Sequence, residues 1–329
     1  SRGLGDVYKR QVLGSTDKSD ILSLCDESNI GVVHWSDPDS IHHSSFQIST
    51  EWMNTSFDHR AAVLNDVANS LESQSWQFIY LLMHEAGKTI QDAHDEIREA
   101  VDFLRYYANR SALFNSQSTQ SGPTGEDNIL EYCPKGLVAC ISPWNFPLAI
   151  TLGQIAAALV TGNTVIAKAS EETSLIAFKA AGLFFNHGLP KDALHLLLGD
   201  GRVGQAIITS QALDLVVFTG SLKTAKSIHN NLSNKSGKIV PLIAETGGLN
   251  SMVVDSSALI ERACDDIMRS AFNSAGQRCS ALRLLLVHET IYEELILMLK
   301  GMMSELIIGN PSNSSVDMGP IISVEAAQE

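Results

Sequence analysis

Apolar side chains recur every three or four positions through the first third of the chain, and this spacing predicts three amphipathic helices. The apolar stripes cover residues 61–71, 76–83 and 90–104. Residues 115–127 are rich in Ser, Gly, Gln and Thr, which predicts an exposed loop. Two apolar runs then flank Pro134-Lys135-Gly136 and predict a β-hairpin near residues 129–141.

The pattern changes after residue 137, where short apolar runs alternate with helical spacing. Strands are predicted at residues 137–141, 164–168, 194–198, 215–219 and 239–243, with helices around 149–160, 173–187, 202–209 and 222–232. Buried strands joined by helices form right-handed βαβ units, so we expect an α/β fold with a doubly wound parallel sheet. A second α/β segment follows a predicted boundary near Thr246-Gly247-Gly248, with strands near 251–254 and 282–287 and helices near 257–273 and 289–306.

Charge and cysteine usage exclude several classes of protein. Residues 148–167 carry no charge over a length that could span a bilayer, but the turn signal Gly162-Asn163 favours a buried helix and strand over a membrane span. The chain has 37 Asp and Glu against 23 Lys and Arg, a net charge of −14, which disfavours nucleic-acid binding. Its five cysteines form no close pairs, which indicates a reducing compartment such as the cytoplasm and predicts no metal site.

The two ends of the chain differ from the rest. Residues 1–11 have neither an initiator Met nor an apolar segment, and we expect them to be an assembly scar foreign to the native protein. The chain stops at Glu329 soon after a helix and a polar loop, with no segment that closes a domain. We therefore expect the second domain to be incomplete.

Three segments near predicted strand ends could bind a nucleotide, although each has an ordinary structural explanation. Residues 199–204 match G-x-G-x-x-G but lack the acidic residue expected about 20 positions later, which favours a structural turn. Gly220 and Ser221 either approach a phosphate at a helix N-terminus or form a capped turn. Lys168 and Glu171 either bind ribose hydroxyls or point into solvent.

Three further residues could carry chemistry. Asn145 lies in the stiff segment SPWNFP (142–147), where its amide could donate to an oxyanion or the segment could simply cover the sheet. Glu245 ends an apolar strand, where burial would raise its pKa and make it a usable base. Cys279 lies in a loop of small residues, either as an accessible nucleophile or as an inert buried thiol.

In their order along the chain, these motifs resemble the aldehyde dehydrogenase superfamily. The matching motifs are SPWNFP, KASE (168–171), FTGS (218–221), ETGG (245–248) and GQRC (276–279). The interval between Glu245 and Cys279 also fits that family, and the resemblance runs from about Trp52 to the end of the chain. It implies a Rossmann-like NAD-binding domain over residues 12–246, with the N-terminal helices and an oligomerisation hairpin near 129–141. A partial α/β catalytic domain would follow over residues 247–329.

Longer motifs resemble one subgroup, the aldehyde dehydrogenase half of bacterial bifunctional proline utilization A. They are EAGKT (85–89), EIREAVDFLRYYA (96–108), ETGGLNSMVVDSSAL (245–259) and SAGQRCSALR (274–283). That half oxidises L-glutamate γ-semialdehyde, derived from Δ1-pyrroline-5-carboxylate, to glutamate with NAD. Nothing in the chain resembles the proline dehydrogenase half.

The resemblance assigns roles to individual residues. It makes Cys279 the nucleophile, Asn145 a donor to the oxyanion and Glu245 the base that activates water. The residues implied to bind NAD are Ser142, Trp144, Lys168, Glu171, Gly220, Ser221, Thr246 and Gly247. Those implied to line the substrate pocket are Ser280, Phe146 and Glu99. The Glu171 carboxylate would repel a 2′-phosphate, which favours NAD over NADP.

The chain also departs from the family pattern. Relatives continue well beyond residue 329 with the Glu-x-Phe-Gly-Pro segment, the loop that anchors the substrate carboxylate and a strand used in oligomer contacts. Met83-His84 before EAGKT and Ala169, where a Pro is usual, are smaller departures. The resemblance further implies a homo-oligomer at full length and raises a proline dehydrogenase domain fused upstream.

Other functions stay open from the sequence alone. The chain could serve a dehydrogenase of another aldehyde, or bind the cofactor without turnover. A thiol hydrolase built on Cys279 would need a histidine partner, and neither His229 nor His288 lies in a matching motif. That third reading is therefore disfavoured.

Overall fold

A computed structural model describes residues 17–114 and 118–328. The predicted scar at residues 1–11 lies outside the described residues. The strands are β1 Lys18–Leu22, β2 Asn29–His34, β3 Ser118–Gln120, β4 Asn128–Leu130, β5 Leu137–Ile141, β6 Thr164–Lys168, β7 Leu194–Leu196, β8 Leu215–Gly220, β9 Leu242–Thr246, β10 Asn250–Val254 and β11 Leu282–Val287. The α-helices are α1 Pro38–His43, α2 Thr50–Met53, α3 Phe57–Ser73, α4 Ser75–Ala86, α5 Ile90–Ser111, α6 Ala149–Val160, α7 Ser174–Asn186, α8 Gly201–Ser210, α9 Leu222–Ser233, α10 Ile260–Phe272, α11 Tyr292–Glu305 and α12 Val324–Gln328.

The central sheet has five parallel strands in the order β7-β6-β5-β8-β9. The strand order reverses at β5, which pairs with β6 on one side and β8 on the other. This arrangement confirms the predicted doubly wound α/β fold. It also creates a crevice at the carboxyl ends of β5 and β8, the usual ligand position in such sheets.

Helices cover both faces of this sheet because its inner strands are apolar on both sides. Every residue of β5 and β6 is buried. One face carries buried side chains of α3, α4, α5, α6 and α7, and the other carries those of α1, α8 and α9. Apolar packing on both faces of the sheet thus fixes the positions of the strand ends.

The uncharged stretch at residues 148–167 forms helix α6 and strand β6, as predicted. They are separated by a turn at Gly162, whose φ of +84° is in the left-handed region that favours glycine. Within the described ranges, no helix is both long and apolar enough to cross a membrane.

Two strand predictions are wrong. The fifth strand of the sheet runs from Leu242 to Thr246, not over 239–243, and Ile239 is 95% exposed. Pro241 lacks the amide hydrogen that a strand interior needs, so pairing with β8 starts after it. The predicted hairpin near 129–141 does not form, since β4 pairs with β3 and β5 enters the central sheet. The loop predicted at 115–127 therefore contains a strand, one whose polar sequence carries no apolar alternation.

The three predicted helical stripes correspond to α3, α4 and α5. Within α4, Leu82 and Met83 of the predicted stripe are buried, but Trp76 is 68% exposed and Phe78 takes its place in the core. The antiparallel pair β1–β2, which precedes these helices, was not predicted.

The second α/β segment contains the parallel pair β10–β11 with α10 and α11 beside it. Its buried apolar residues, including Cys264 and Leu295, form a cluster apart from those of the central sheet. The domain boundary near residues 246–248 stays a prediction.

Candidate active site

The carboxyl ends of the inner strands open on one cavity. Its lining includes Ser142 and Trp144 after β5, Lys168 and Glu171 around the end of β6, and Gly220 with Ser221 after β8. Six of the eight residues that the sequence suggested for cofactor binding therefore meet at one place. Parallel strands end on the same edge of a sheet, which explains why segments far apart in sequence converge here.

Lys168 and Glu171 form an ion pair at the edge of this cavity. The Lys168 Nζ atom lies 3.0 Å from Glu171 Oε2, with the lysine side chain 8% exposed and the glutamate side chain 39% exposed. The pair presents an ammonium donor and a carboxylate acceptor side by side, a combination suited to vicinal hydroxyl groups. The alternative interpretation, in which both side chains point into solvent, agrees only in part with the exposure of Glu171 and does not agree with the burial of Lys168.

The turn after β8 is both a capped turn and part of the cavity. The Ser221 Oγ atom accepts a hydrogen bond from the Thr224 backbone N–H at 3.1 Å. At Gly220, a Cβ atom would lie 2.6 Å from the Phe218 ring, so any larger residue would require that ring to shift. Helix α9 begins here, and residues at its N-terminal end line the cavity, so an anion bound there would lie close to a helix N-terminus.

The G-x-G-x-x-G segment behaves as the predicted structural turn, yet it also contacts the cavity. Asp200 caps helix α8 by accepting a hydrogen bond from the Arg202 backbone N–H at 2.8 Å. Gly201, Gly204 and Gln205 nevertheless line the same cavity as Lys168. Sequence reasoning set these residues aside, although their position just after β7 places them at the ligand edge of the sheet.

The segment SPWNFP is fixed at its start. The Ser142 backbone N–H donates to the Lys168 carbonyl oxygen at 3.0 Å, and the Ser142 and Thr151 hydroxyl oxygens lie 2.6 Å apart. The Asn145 Oδ1 atom is buried and has no hydrogen-bond partner among the described residues. Asn145 faces a second, small cavity.

This small cavity connects Asn145 to the segment before Cys279. It is lined by Ala86, Gly87, Lys88, Trp144, Asn145, Ser274 and Gln277. The sequence-predicted amide donor and the loop of the predicted nucleophile thus share one cavity, which the end of α4 and the turn before α5 complete. Sequence reasoning did not include Lys88 in the site.

The loop before Cys279 adopts a costly backbone conformation. Ser274, Ala275 and Gly276 have φ angles of 54°, 55° and 67°, so two non-glycine residues are left-handed in succession. The Asp92 side chain accepts a hydrogen bond from the Ser274 backbone N–H at 3.2 Å, and Arg283 donates to the Gly276 carbonyl at 2.7 Å. Side chains from two other elements therefore hold this strained loop in place.

Cys279 is exposed, as a nucleophile requires, and is not the inert buried thiol of the alternative reading. The Cys140 thiol, in contrast, is buried in β5, and this burial raises its pKa to about 12. The carbonyl oxygen of Cys279 accepts a hydrogen bond from the Asn250 side chain at 2.6 Å. Ser280 beside it is also exposed.

The expectation that Glu245 is buried is wrong. Glu245 lies within β9, in register with Thr219 of β8, and its residue is exposed. Strand β9 is at the edge of the sheet, so it has a neighbour on one side only. Thr246 pairs with Gly220 and is half-buried, and Gly247 is exposed. Neither Thr246 nor Gly247 lines the cavity described above.

Two residues predicted to contact the substrate lie near buried charges. The Phe146 ring is half-buried, with the Lys88 Nζ atom 4.1 Å from its centroid. Glu99 lines an open groove on α5. Partial burial and repulsion from Glu96 raise the pKa of the Glu99 carboxyl, while Lys88 and Arg278 act in the opposite direction. Arg278, which precedes Cys279, has a buried Nε atom without a hydrogen-bond partner among the described residues.

In the part of the chain that the structure describes, no group of three or more His, Cys, Asp or Glu side chains could hold a metal ion. The two cavities combine a helix N-terminus, an ion pair and an amide, and the exposed Cys279 thiol lies on the same loop as Ser274 and Gln277 of the small cavity.

This fold and this set of residues define the class of protein. Residues 26–329 match the aldehyde dehydrogenase family, and the chain belongs to that family. The resemblance inferred from the sequence motifs is confirmed.

Individual proteins show which members of the family the chain resembles. The chain is 45% identical over 282 residues to the bifunctional protein PutA of Klebsiella aerogenes, a match that covers 84% of this chain and 20% of that protein. It is 35% identical over 280 residues to 1-pyrroline-5-carboxylate dehydrogenase 2 of Bacillus subtilis, covering 83% of this chain and 54% of that protein. The structure of a betaine aldehyde dehydrogenase from Staphylococcus aureus in complex with NAD+ superposes with a TM-score of 0.86 at 26% identity, covering 94% of this chain and 64% of the other. The chain thus spans about a fifth of PutA and about half of the 1-pyrroline-5-carboxylate dehydrogenase.

Proposed function

We propose that the chain provides the NAD-binding and thiol-bearing part of an enzyme that oxidises L-glutamate γ-semialdehyde to L-glutamate in proline catabolism. The observation that carries this proposal is the connection of Asn145 to the Cys279 loop through one cavity, beside a second cavity built for a nucleotide. Relatives named PutA and 1-pyrroline-5-carboxylate dehydrogenase support the choice of substrate.

The residues present fit NAD. The free N–H groups of α9 would donate hydrogen bonds to the pyrophosphate, with Gly220 and Ser221 at the cavity wall. Lys168 and Glu171 would bind the hydroxyls of the adenosine ribose, with Trp144 and Ser142 along the cavity wall. When bound, NAD supplies the hydride acceptor for the reaction. A relative of known structure in complex with NAD+ supports this assignment.

The chemistry would then use three side chains of this chain. The Cys279 sulfur attacks the aldehyde carbon, forming a C–S bond and an oxyanion. The Asn145 amide and the Cys279 backbone N–H donate hydrogen bonds to that oxyanion. Glu245 would accept a proton from the water that hydrolyses the resulting thioester, and breaking the C–S bond releases glutamate and the Cys279 thiolate.

The substrate pocket would include Ser280, Phe146 and Glu99. A carboxylate at Glu99 suits the α-ammonium group of glutamate semialdehyde, because the two carry opposite charges. An aldehyde that lacks the amino group would gain nothing from Glu99.

We extend the proposal to the setting of the enzyme. All five cysteines are unpaired, which is consistent with a reducing compartment such as the cytoplasm. The exposed β3–β4 hairpin offers backbone for contacts between copies of the chain in a homo-oligomer. A proline dehydrogenase domain fused upstream would supply Δ1-pyrroline-5-carboxylate to this site, in line with the bifunctional PutA relatives.

The test is NADH formation from Δ1-pyrroline-5-carboxylate by the protein expressed at its natural length. Replacing Cys279 with Ala should abolish turnover and leave NAD binding intact. Cys133→Ala is the matched control, because Cys133 is also an exposed thiol. Glutarate semialdehyde, which lacks the amino group, should react more slowly. Turnover restricted to other aldehydes would reject the assigned substrate, and unchanged turnover in the Cys279 variant would reject the mechanism.

A further inference from the structure

A buried ion pair lies directly behind the segment that carries Asn145. The Lys88 Nζ atom is 2.9 Å from Glu96 Oε2, and the two side chains are 4% and 0% exposed. Neither atom has a hydrogen-bond partner among the described residues, so each charge is compensated by the other. Two charges in such a position are costly to bury, and removing one of them leaves the other unpaired.

The second oxygen of Glu96 holds the backbone just after Asn145. Glu96 Oε1 accepts hydrogen bonds from the backbone N–H groups of Leu148 at 2.8 Å and Ala149 at 3.2 Å. These groups lie at the N-terminus of α6, where no intrahelical acceptor exists. Leu148 occupies the N-cap position and cannot cap the helix with its own side chain. Glu96 from α5 serves as the cap instead.

Lys88 contacts the same segment from another side. Its ammonium group lies over the Phe146 ring, 4.1 Å from the centroid, in a cation–π arrangement. Lys88 also lines the small cavity together with Asn145. The ion pair therefore contacts residues 146, 148 and 149, which follow Asn145 immediately.

We infer that Lys88 and Glu96 are positioning residues, which fix Asn145 in the orientation needed to donate to the oxyanion. The inference rests on the proposed function of Asn145. The Asn145 Oδ1 atom is buried and has no hydrogen-bond partner among the described residues. No hydrogen bond to this oxygen therefore fixes the orientation of the side chain. The backbone that follows Asn145 is instead held by the Lys88–Glu96 ion pair, and separating that pair would leave a buried charge unpaired. A shift of about 1 Å in such a donor can lower a rate about a hundredfold.

Amide hydrogen exchange tests the structural half of the inference. In Glu96→Ala, the amides of Leu148 and Ala149 lose their acceptor, and we expect them to exchange at least about tenfold faster. Glu85→Ala is the matched control, because buried Glu85 caps α7 through the N–H groups of Leu175 at 2.7 Å and Ile176 at 2.9 Å. That variant should speed exchange at α7 only. Unchanged exchange at Leu148 and Ala149 in Glu96→Ala would overturn the inference.

Kinetics test whether the effect passes through Asn145. We expect Glu96→Ala to lower kcat about 10-fold to 100-fold, with the Kd for NAD within about twofold of wild type. In an Asn145→Ala background, the same substitution should change kcat less than about threefold, because the donor it positions is gone. If Glu96→Ala lowers kcat by the same factor with and without Asn145, Glu96 acts on stability alone and the positioning role is overturned.

A second variant keeps the inference falsifiable if Glu96→Ala does not fold. Lys88→Met combined with Glu96→Gln leaves no unpaired charge and keeps an acceptor for the two amides. We expect kcat to fall about threefold to tenfold, again only when Asn145 is present. Failure of the wild-type protein to oxidise any aldehyde with NAD would reject the proposed function instead, and exchange at Leu148 and Ala149 would still decide whether Glu96 holds this backbone.

Discussion

The side-chain amide of Asn250 donates hydrogen bonds to the carbonyl oxygens of Cys279 at 2.6 Å and Ala281 at 3.0 Å. One side chain from β10 therefore holds the backbone on both sides of Ser280. In Asn250→Ala, we expect the free energy of unfolding to fall by about 1–2 kcal/mol. We expect kcat to fall about tenfold, because the nucleophile loses its fixed backbone. Urea unfolding and NADH formation measure the two effects.

The matched control for Asn250 is Asn310, which donates to the Cys25 carbonyl at 2.8 Å. Asn310→Ala removes the same kind of hydrogen bond away from the candidate site. It should cost stability without lowering kcat. Equal kcat values for the two variants would contradict a role for Asn250 in placing Cys279.

Asp92 should matter for the strained loop at Ser274 and Ala275. Its carboxylate accepts hydrogen bonds from the Ser274 backbone N–H at 3.2 Å and the Thr89 hydroxyl at 2.9 Å. In Asp92→Ala, we expect the loop to leave its left-handed conformation more often, with kcat reduced about threefold to tenfold. Asp95→Ala is the control, since Asp95 is exposed on the same helix, and its contacts with Gln91 and His94 stay on that helix. A loss of the same size in both variants would reject the role of Asp92.

Glu171 should select NAD over NADP. Its carboxylate is held 3.0 Å from the Lys168 ammonium at the cavity edge, where a 2′-phosphate would meet negative charge. In Glu171→Ala, the affinity for NAD should fall about tenfold and that for NADP should rise, because Lys168 then faces the phosphate alone. Isothermal titration with each nucleotide measures both. Glu172→Ala provides the control, because Glu172 hydrogen-bonds Ser170 and does not line the cavity.

Glu85 should make stability depend on pH. Burial raises the pKa of its carboxyl from 4.5 to about 7, and the two N–H groups it accepts from oppose that shift. The folded protein therefore keeps this proton over a pH range in which the unfolded chain has lost it. Stability contributed by the group is present below pH 4.5 and is lost as pH rises toward 7, by about 3 kcal/mol in all.

The measurement is urea unfolding of wild type and Glu85→Gln at several pH values across that window. The variant does not titrate, so its free energy of unfolding should decline less with rising pH. Glu72→Gln replaces an exposed carboxylate and should retain the wild-type dependence. Parallel curves for wild type and Glu85→Gln would show that the proton on Glu85 does not couple to folding.

Sequence patterning predicted the elements whose burial leaves no ambiguity. Strands β5 and β6 are apolar at nearly every position, and helix α6 matches its predicted range of 149–160. Sequence patterning failed where a segment becomes a strand only by pairing with a neighbouring strand. The predicted strand stopped at residue 243, before the polar residues Glu245 and Thr246. These two residues belong to β9 because they pair with Thr219 and Gly220 of β8. Strand β3 likewise becomes a strand only by pairing with β4.

The candidate site shows the same division. Lys168, Glu171, Ser221, Asn145 and Cys279 were all recognised, because each lies where a strand or loop ends. The sequence assigns no role to Lys88 or Glu96, since charges in a turn or on an amphipathic helix ordinarily face solvent. Only the tertiary structure shows that both are buried. The burial assumed for Glu245 failed for the opposite reason, because an edge strand is covered on fewer sides.

The central position of β5 has a consequence for how the protein is made. Its two neighbours, β6 and β8, both follow it in the sequence, so the middle of the sheet leaves the ribosome before either partner exists. Ser221 lines the cavity proposed to bind NAD, so a nascent chain that ends before it would lack part of that site. Stabilisation by bound cofactor can therefore begin only after β8 and the start of α9 have emerged. Until then, the exposed apolar strand β5 depends on the helices that precede it, or on chaperones, for protection.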